Sequence, residues 1–287
     1  MDGTSASAFT EMIASAGGRS FAGAALVVFR RGSGRAEIAD LYQQSPLRVL
    51  FPSTPDDPLP LAVLVNSAGG LVGGDSMSTS VIARDGASAL VTMQAAEKVY
   101  RSTGAVTSIS NRLNVAPDGW LEWLPQETIV FDQARLRRSM RIDLEGSAAM
   151  LAGEILVFGR TARGERMTSG LVHDAWEIRH NGRLVWADAL HLDGNIAATL
   201  ADRACFAGAV GYATLIYAAE DAASQLESVR ETAGAGELHA ATCMGSLLVA
   251  RWLSREPHRL REAFGHVWCV LRKNRGLPAR LPRLWYV

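Results

Sequence analysis

Residues 61–75, LAVLVNSAGGLVGGD, join a short apolar run to two glycine pairs and a terminal carboxylate. The run Val63, Leu64, Val65 predicts a strand that is buried on both faces. The glycines that follow allow positive φ angles and close backbone contacts, so the chain is expected to turn sharply before Asp75. A phosphate cradle, a turn that carries an acid into a pocket and a plain β-bulge all fit this pattern.

The amino-acid composition indicates a globular protein and argues against several other classes of protein. The chain has 287 residues, with 48% hydrophobic and 20% charged residues, which is typical of a globular protein with a substantial core. Basic and acidic residues balance at 29 each, so the net charge provides no attraction for nucleic acid or an anionic membrane. No apolar stretch approaches the roughly 20 residues of a membrane helix, and residues 1–20 lack a signal-peptide pattern. We expect a cytoplasmic protein.

The order of the predicted elements places strands first and helices last. Residues 1–20 are expected to be a flexible segment, and residues 21–287 a single domain. Within that domain, residues 21–192 have the pattern of successive short strands, residues 193–275 that of a mixed helical part, and residues 276–287 that of a docked tail. Alternating strand and helix units are absent. The prediction is therefore a β-rich body with a small C-terminal helical part.

Several segments carry specific expectations. In residues 106–115, Ile109, Leu113 and Val115 alternate with polar residues and predict a half-buried strand. Asn181-Gly182 predicts a β-hairpin turn. Helices are predicted over residues 221–232 and 256–273, whereas residues 240–253 fit either a helix or a buried strand. Three arginines are expected on a solvated face: Arg135, Arg137 and Arg138.

The glycine turn does not match a nucleotide-binding motif. Residues 76–83, SMSTSVIA, are poor helix material, so a dinucleotide site would lack the helix N-terminus that holds the pyrophosphate. Asp75 stands where a P-loop would have its lysine, and its charge would repel phosphate. No nucleophile elbow, HxH or HExxH motif occurs, and the three cysteines have no zinc-type spacing. Any metal site must therefore combine residues that are distant in the sequence.

Four ordered motifs lie within about residues 25–285, and residues 121–132, LEWLPQETIVFD, are the most specific of them. The motif positions, in chain order, are Gly69, Gly70, Gly73, Gly74 and Asp75; Lys98, Tyr100, Arg101 and Ser102; Glu122, Gln126, Glu127 and Asp132; and Glu154, Gly159, Arg160 and Glu165. With these motifs the chain resembles the UreD (also called UreH) family of urease accessory proteins.

The chain also departs from the family pattern at two places. Where many relatives have His-Pro-Pro before the glycines, this chain has residues 66–68, Asn-Ser-Ala. Where many have Pro-Gly-Ala-Gly-Lys, it has residues 94–98, Gln-Ala-Ala-Glu-Lys. The histidine at the first place is therefore missing from this chain.

The resemblance implies a β-helix-like stack of short strands and a role in nickel delivery, with no enzyme activity and no bound nucleotide. It implies UreF as a partner, UreG through UreF, and the urease apoprotein as the target. Asp75 and Glu154 are then expected to line a transient nickel route, although Asp75 could instead cap its own turn. Trp252, Trp285 and Tyr286 are expected on a partner surface. A β-helix enzyme acting on polysaccharide and a dinucleotide-binding oxidoreductase remain alternatives.

Overall fold

A computed structural model describes residues 20–234 and 238–286, so most of the predicted flexible segment 1–20 lies outside the described residues. The described strands are β1 Ala22–Arg30, β2 Glu37–Gln44, β3 Leu47–Leu50, β4 Leu61–Asn66, β5 Ser76–Ala83, β6 Ser88–Met93, β7 Glu97–Val99, β8 Thr107–Val115, β9 Trp120–Leu124, β10 Thr128–Val130, β11 Arg135–Leu144, β12 Ala149–Phe158, β13 Gly170–His180, β14 Arg183–Gly194, β15 Gly211–Ala218, β16 Leu238–Met244 and β17 Leu247–Ser254. The helices are α1 Ile196–Ala201, α2 Ala222–Thr232 and α3 Pro257–Asn274, and short 3-10 turns span Thr161–Arg163 and Arg283–Trp285.

The strands form two large sheets, and consecutive parts of the chain alternate between them. The first sheet has the order β14-β13-β11-β8-β5-β1-β2, and the second runs β16-β17-β15-β12-β9-β6-β4-β3. Parallel pairing joins β5, β8, β11 and β13 in the first sheet and β4, β6, β9 and β12 in the second. Successive coils thus each contribute one strand to each sheet. This arrangement confirms the predicted β-helix-like stack with a small C-terminal helical part.

The hydrophobic residues divide into a core between the sheets and a core beneath the helices. Phe29, Leu64 and Leu113 belong to the first core, where the two sheets face each other. Phe264 and Trp268 of α3 pack in the second core, against the outer face of the second sheet. Strand β12 is buried at all ten positions because it is covered on both faces.

Most local predictions agree with these elements. Residues 76–83 form a strand, which agrees with the prediction that they do not form a helix, and β8 occupies the predicted half-buried segment. Asn181 and Gly182 have φ angles of 51° and 76° and connect β13 to β14. The ambiguous residues 240–253 fall in the antiparallel pair β16 and β17. Among the described residues, no helix is both long and apolar enough to cross a membrane.

The solvated-face prediction is wrong for Arg138. Arg137 is exposed, but Arg138 is only 3% exposed and points between the sheets, on the same face of β11 as Met140. The physical reason is that side chains alternate along a strand, so neighbouring arginines must point to opposite faces. The buried guanidinium is stabilised by two carboxylates, which the sequence did not pair with it.

Candidate functional site

The glycine turn is shaped by the coil that stacks on it. A methyl group added at Gly70 would overlap the Tyr100 ring, and one at Gly73 would overlap Ser102. Both positions therefore require glycine so that the second motif can pack against the first. Asp75, 1% exposed, accepts hydrogen bonds from the backbone N–H of Phe21 at 3.2 Å and of Val72 at 2.8 Å. Its carboxylate thus closes the turn.

The four motifs occupy the same corner of successive coils. Short strand β10 pairs with β7 on one side and with the end of β12 on the other, and Leu71 bridges Val99. This register stacks four fully buried side chains, one from each motif: Leu71, Val99, Val130 and Phe158. Leu71 and Phe158 are 87 positions apart in the sequence, so the four motifs form one continuous structural feature.

Aromatic and cationic side chains continue this stack beside the buried ladder. The rings of Tyr100 and Phe131 meet edge to face, with centroids 4.8 Å apart. The Arg160 guanidinium lies 4.4 Å from the Phe131 centroid, and its Nε is 2.7 Å from a Glu165 oxygen. Gly159, at φ 87°, precedes Arg160 and accommodates the bend. The corner is therefore fixed by contacts between consecutive motifs.

Three further motif residues differ in their exposure. Asp132 accepts hydrogen bonds from the backbone and hydroxyl of Thr168 at 2.6 and 2.8 Å. Partial burial would raise the pKa of Asp132, but these hydrogen bonds lower it below its ordinary value. Lys98 and Arg101 are exposed. These two side chains are available to a binding partner.

Glu122 joins the second sheet to helix α3. Its carboxylate, which is fully buried, accepts hydrogen bonds from Trp120 Nε1 and Trp268 Nε1 at 3.0 Å and from Arg272 Nη1 at 2.7 Å. Arg272 is also fully buried and donates to an Asp57 oxygen at 2.5 Å. Burial raises the pKa of Glu122, whereas Arg272 and the two indole N–H groups oppose that rise. One carboxylate thus organises a buried polar cluster.

Gln126 and Glu127 hold the C-terminal tail. Gln126 Nε2 donates to the backbone oxygen of Leu284 at 2.8 Å, and Arg261 of α3 pairs with Glu127. Arg261 also donates to the Trp285 carbonyl at 2.9 Å and lies 4.4 Å from the Trp285 ring centroid. The turn in the third motif is therefore the contact point for the tail.

The aromatic residues predicted for a partner surface occupy different environments. Trp252 is 1% exposed and donates to the Ala233 carbonyl at 2.9 Å, so it belongs to the core beneath α2 and α3. Trp285 is 5% exposed and stacks on Phe264 with centroids 5.9 Å apart. Both rings are internal because helix α3 and the tail cover the outer face of the second sheet. Tyr286, at 69% exposed, is the member of this set that faces solvent.

A second buried charge cluster lies between the two sheets. Arg138 Nη1 is 2.6 Å from a Glu154 oxygen, and its Nε and Nη2 each lie 2.8 Å from a different Asp174 oxygen. Trp123 Nε1 donates to the second Glu154 oxygen at 3.0 Å, and Thr128 accepts from Arg138 at 3.1 Å. Glu154 and Asp75 have different hydrogen-bond partners. The alternation along β11 was the sequence signal that could have placed Arg138 inside.

Glu97 brings another carboxylate to the same interior, in a cavity of about 30 Å³ that Glu154 also lines. Burial raises the pKa of Glu97 to about 6 from 4.5, against the opposing effects of the Asn66 and Lys98 hydrogen bonds. Within residues 20–234 and 238–286, no group of three or more His, Cys, Asp and Glu side chains is placed to hold a metal ion. Any ion in the cavity would thus depend on amide, hydroxyl or water oxygens as well.

Glu97→Gln is expected to raise the free energy of unfolding at pH 7.5 by about 2 kcal/mol. This value follows because burial raises the pKa of Glu97 from 4.5 to about 6, and each pKa unit corresponds to about 1.36 kcal/mol. The pKa is higher in the folded state, so ionising Glu97 destabilises the fold as pH rises through 4.5 to 6. The increase in the free energy of unfolding should disappear near pH 4.5, where Glu97 is protonated in the folded wild-type chain. Urea unfolding at both pH values tests this, with exposed Glu145→Gln as control. An equal gain at both pH values would show that charge burial is not the cause.

Comparison with known proteins places the motifs in context. The UreD urease accessory protein family matches residues 22–286. The urease accessory protein UreD of Magnetococcus marinus is 44% identical over 263 residues, which cover 90% of this chain and 91% of the relative. That of Methylobacterium sp. strain 4-46 is 43% identical over 274 residues, 93% and 94% of the two chains. The urease accessory protein UreD 2 of Methylorubrum populi is 42% identical over 255 residues, which cover 88% of this chain and 84% of the relative. These matches confirm the resemblance inferred from the four motifs.

Proposed function

The chain belongs to the UreD family of urease accessory proteins, and from this premise we propose that it delivers nickel to the urease apoprotein in the cytoplasm together with UreF and UreG. Its curated relatives are named accessory proteins, and it is likewise an accessory protein and not an enzyme. Neither the polysaccharide enzyme nor the oxidoreductase alternative has support in these names. Nickel is the transient cargo in this proposal.

The observation that carries the nickel proposal is the set of ionisable groups between the sheets. Glu97, Glu154 and Asp174 are each at most 7% exposed, and among the described residues Arg138 is the basic side chain that lies with them between the sheets. Three carboxylates against one guanidinium favour a divalent cation by charge. Oxygen ligands without thiolates also bind Ni²⁺ weakly enough to release it, as a carrier requires.

Glu154 is better placed than Asp75 to line the proposed nickel route. Glu154 borders the interior cavity directly, so an ion there could meet its carboxylate after a local rearrangement of Arg138. The Asp75 carboxylate accepts hydrogen bonds from two backbone N–H groups. An ion bound to this carboxylate would have to replace these hydrogen bonds. We therefore propose Glu154 as the nickel-facing residue of the two, and Asp75 as the residue that shapes the turn leading to β5.

The proposed UreF contact includes the exposed end of the tail, with UreG recruited through UreF. Tyr286 borders a surface groove of about 290 Å³, together with Asp56 and Arg280. An exposed tyrosine beside a groove is the type of anchor that protein interfaces use. Truncating the tail would also remove the buried Trp285, so a single substitution is the cleaner test of binding.

The proposal predicts that this chain co-purifies with UreF and restores urease activity in cells that lack their own UreD. Tyr286→Ala should reduce recovery of UreF at least fivefold, because Tyr286 adds exposed aromatic area without supporting the core. Tyr42→Ala, at another exposed tyrosine, is the matched control. Wild-type chain that neither binds UreF nor restores activity would overturn the proposed function, whereas full binding by Tyr286→Ala would overturn only this contact.

A further inference from the structure

An open groove crosses the outer face of the first sheet, opposite to the face that packs in the core between the sheets. Its volume is about 430 Å³, and its lining comes from β1, β5, β8, β11 and β13. Four of the lining residues are register partners on neighbouring strands: Ser76, Ser108, Arg137 and His173. Neighbouring strands lie about 4.8 Å apart, so these side chains form one row across the groove.

Two arginines of β11 give this groove a positive charge. Arg137 is exposed and lines the groove, and Arg135 lies on the same face two residues earlier, about 7 Å along the strand. Within the described part of the chain, neither guanidinium has an ion pair, and the buried Nε of Arg135 has no hydrogen-bond partner. Arg141 of the same strand, by contrast, pairs with Asp143 at 2.8 Å.

The described lining of the groove contains no Asp or Glu side chain. The charge of the two arginines is therefore not balanced by a carboxylate in the wall. A concave surface with charge of one sign concentrates ions of the opposite sign. The groove is thus suited to an anion and not to a cation.

His173 and the serines place hydrogen-bond donors beside Arg137. The Nδ1 atoms of His173 and His191 lie 3.3 Å apart, so one imidazole donates to the other. When His191 is the donor, neutral His173 carries its proton on Nε2, which remains able to donate to a ligand. The hydroxyl of Ser108, on the other side of Arg137, can donate as well. An anion at Arg137 would therefore meet donors from three adjacent strands.

This combination of donors favours a phosphate group. A guanidinium donates two parallel hydrogen bonds to a phosphate or a carboxylate, whereas an imidazole and a hydroxyl each donate one more. A phosphate group has three strong acceptor oxygens and a charge of about −2, which suits two arginines without carboxylate partners. A carboxylate has a single charge and two oxygens, and would leave part of this row unused.

We propose that the groove on the outer face of the first sheet binds one phosphate group, with Arg137 as the bidentate donor and His173 and Ser108 as donors on either side. Arg135 adds positive charge. The groove continues past Ser76 to the small side chains of β1, which leaves space for the organic part of a phosphate ester. This site lies on the opposite face of the sheet from the proposed nickel route, so it does not depend on nickel delivery.

Equilibrium dialysis of the purified full-length chain against radiolabelled inorganic phosphate, at physiological ionic strength, tests the site. Arg137→Met should weaken binding at least about tenfold, because it removes a charged bidentate donor. Arg137→Lys keeps the charge but not the planar fork, and should weaken binding about threefold. His173→Ala and Ser108→Ala should each weaken it about threefold. Circular dichroism would confirm that each variant is folded.

Arg112→Met is the matched control, because Arg112 is an exposed arginine on the same face of the sheet but outside the groove lining. It lies four residues beyond Ser108 on β8, about 13 Å along the strand, which exceeds the Debye length of about 8 Å. Its substitution should change phosphate affinity less than about twofold. Equal losses in Arg112→Met and Arg137→Met, or a wild-type chain that binds no phosphate, would overturn the site.

Competition against the labelled phosphate identifies the source of the phosphate group. Displacement by glycerol phosphate at lower concentration than by unlabelled inorganic phosphate would assign the site to a phosphate ester. Equal or weaker displacement by glycerol phosphate would assign it to free phosphate. Since this assay contains neither nickel nor urease, its outcome is independent of the test of nickel delivery.

Discussion

Glu122→Ala is expected to lower the free energy of unfolding by about 4 kcal/mol, the typical cost of removing one partner from a buried ion pair. The substitution leaves the fully buried Arg272 with Asp57 as its remaining carboxylate, at 2.5 Å, and removes the acceptor of two indole N–H groups. Helix α3 should lose its attachment to β9 first, because Trp268 and Arg272 both lie on that helix. Urea unfolding followed by tryptophan fluorescence measures the loss.

The matched control is Glu262→Ala, an exposed glutamate on the same helix, for which we expect a change below about 0.5 kcal/mol. The triple variant Asp57→Asn, Glu122→Leu, Arg272→Met should recover much of the stability, since it removes the three charges of the cluster together. A loss below 1 kcal/mol for Glu122→Ala would show that the cluster does not hold α3 to the sheet.

Arg138→Met is expected to destabilise the fold by about 3 to 5 kcal/mol, because it leaves Glu154 and Asp174 buried without their cation. Arg137→Met is a close control, since the adjacent arginine carries the same charge but is exposed on the other face of β11. We expect less than about 0.5 kcal/mol for it. Thermal and urea unfolding of both variants measure the difference.

Restoring charge balance should rescue the Arg138 variant. The triple change Arg138→Met, Glu154→Gln, Asp174→Asn removes the buried charges as a set and should regain at least half of the lost stability. If Arg137→Met were as destabilising as Arg138→Met, the interior charge cluster would not be the cause.

Local sequence patterns predicted much of the architecture because strand period and turn chemistry act over a few residues. The alternation in residues 106–115 places Ile109, Leu113 and Val115 on one face of β8, and Asn181-Gly182 forms the turn between β13 and β14. The helix predicted over residues 256–273 is α3, Pro257–Asn274. Residues 240–253 stayed ambiguous because a buried strand and a buried helix have the same apolar composition.

The candidate site was less predictable because its contacts are distant in the sequence. Glu122 and Arg272 are 150 residues apart and carry no shared local pattern. Tryptophan is a residue type that protein interfaces favour, but helices α2 and α3 cover Trp252, which therefore lies in the core. The pairing of Asn66 with Glu97 depends on the stacking of successive coils, which no single motif specifies.

The most direct test of the nickel-delivery proposal is the nickel content of urease purified from cells that produce its subunits, UreF, UreG and this chain. We predict nickel-loaded, active urease when the chain is present, and metal-poor, inactive urease when it is omitted, with nickel supply and urease expression held equal. Equal nickel content with and without the chain would contradict the account.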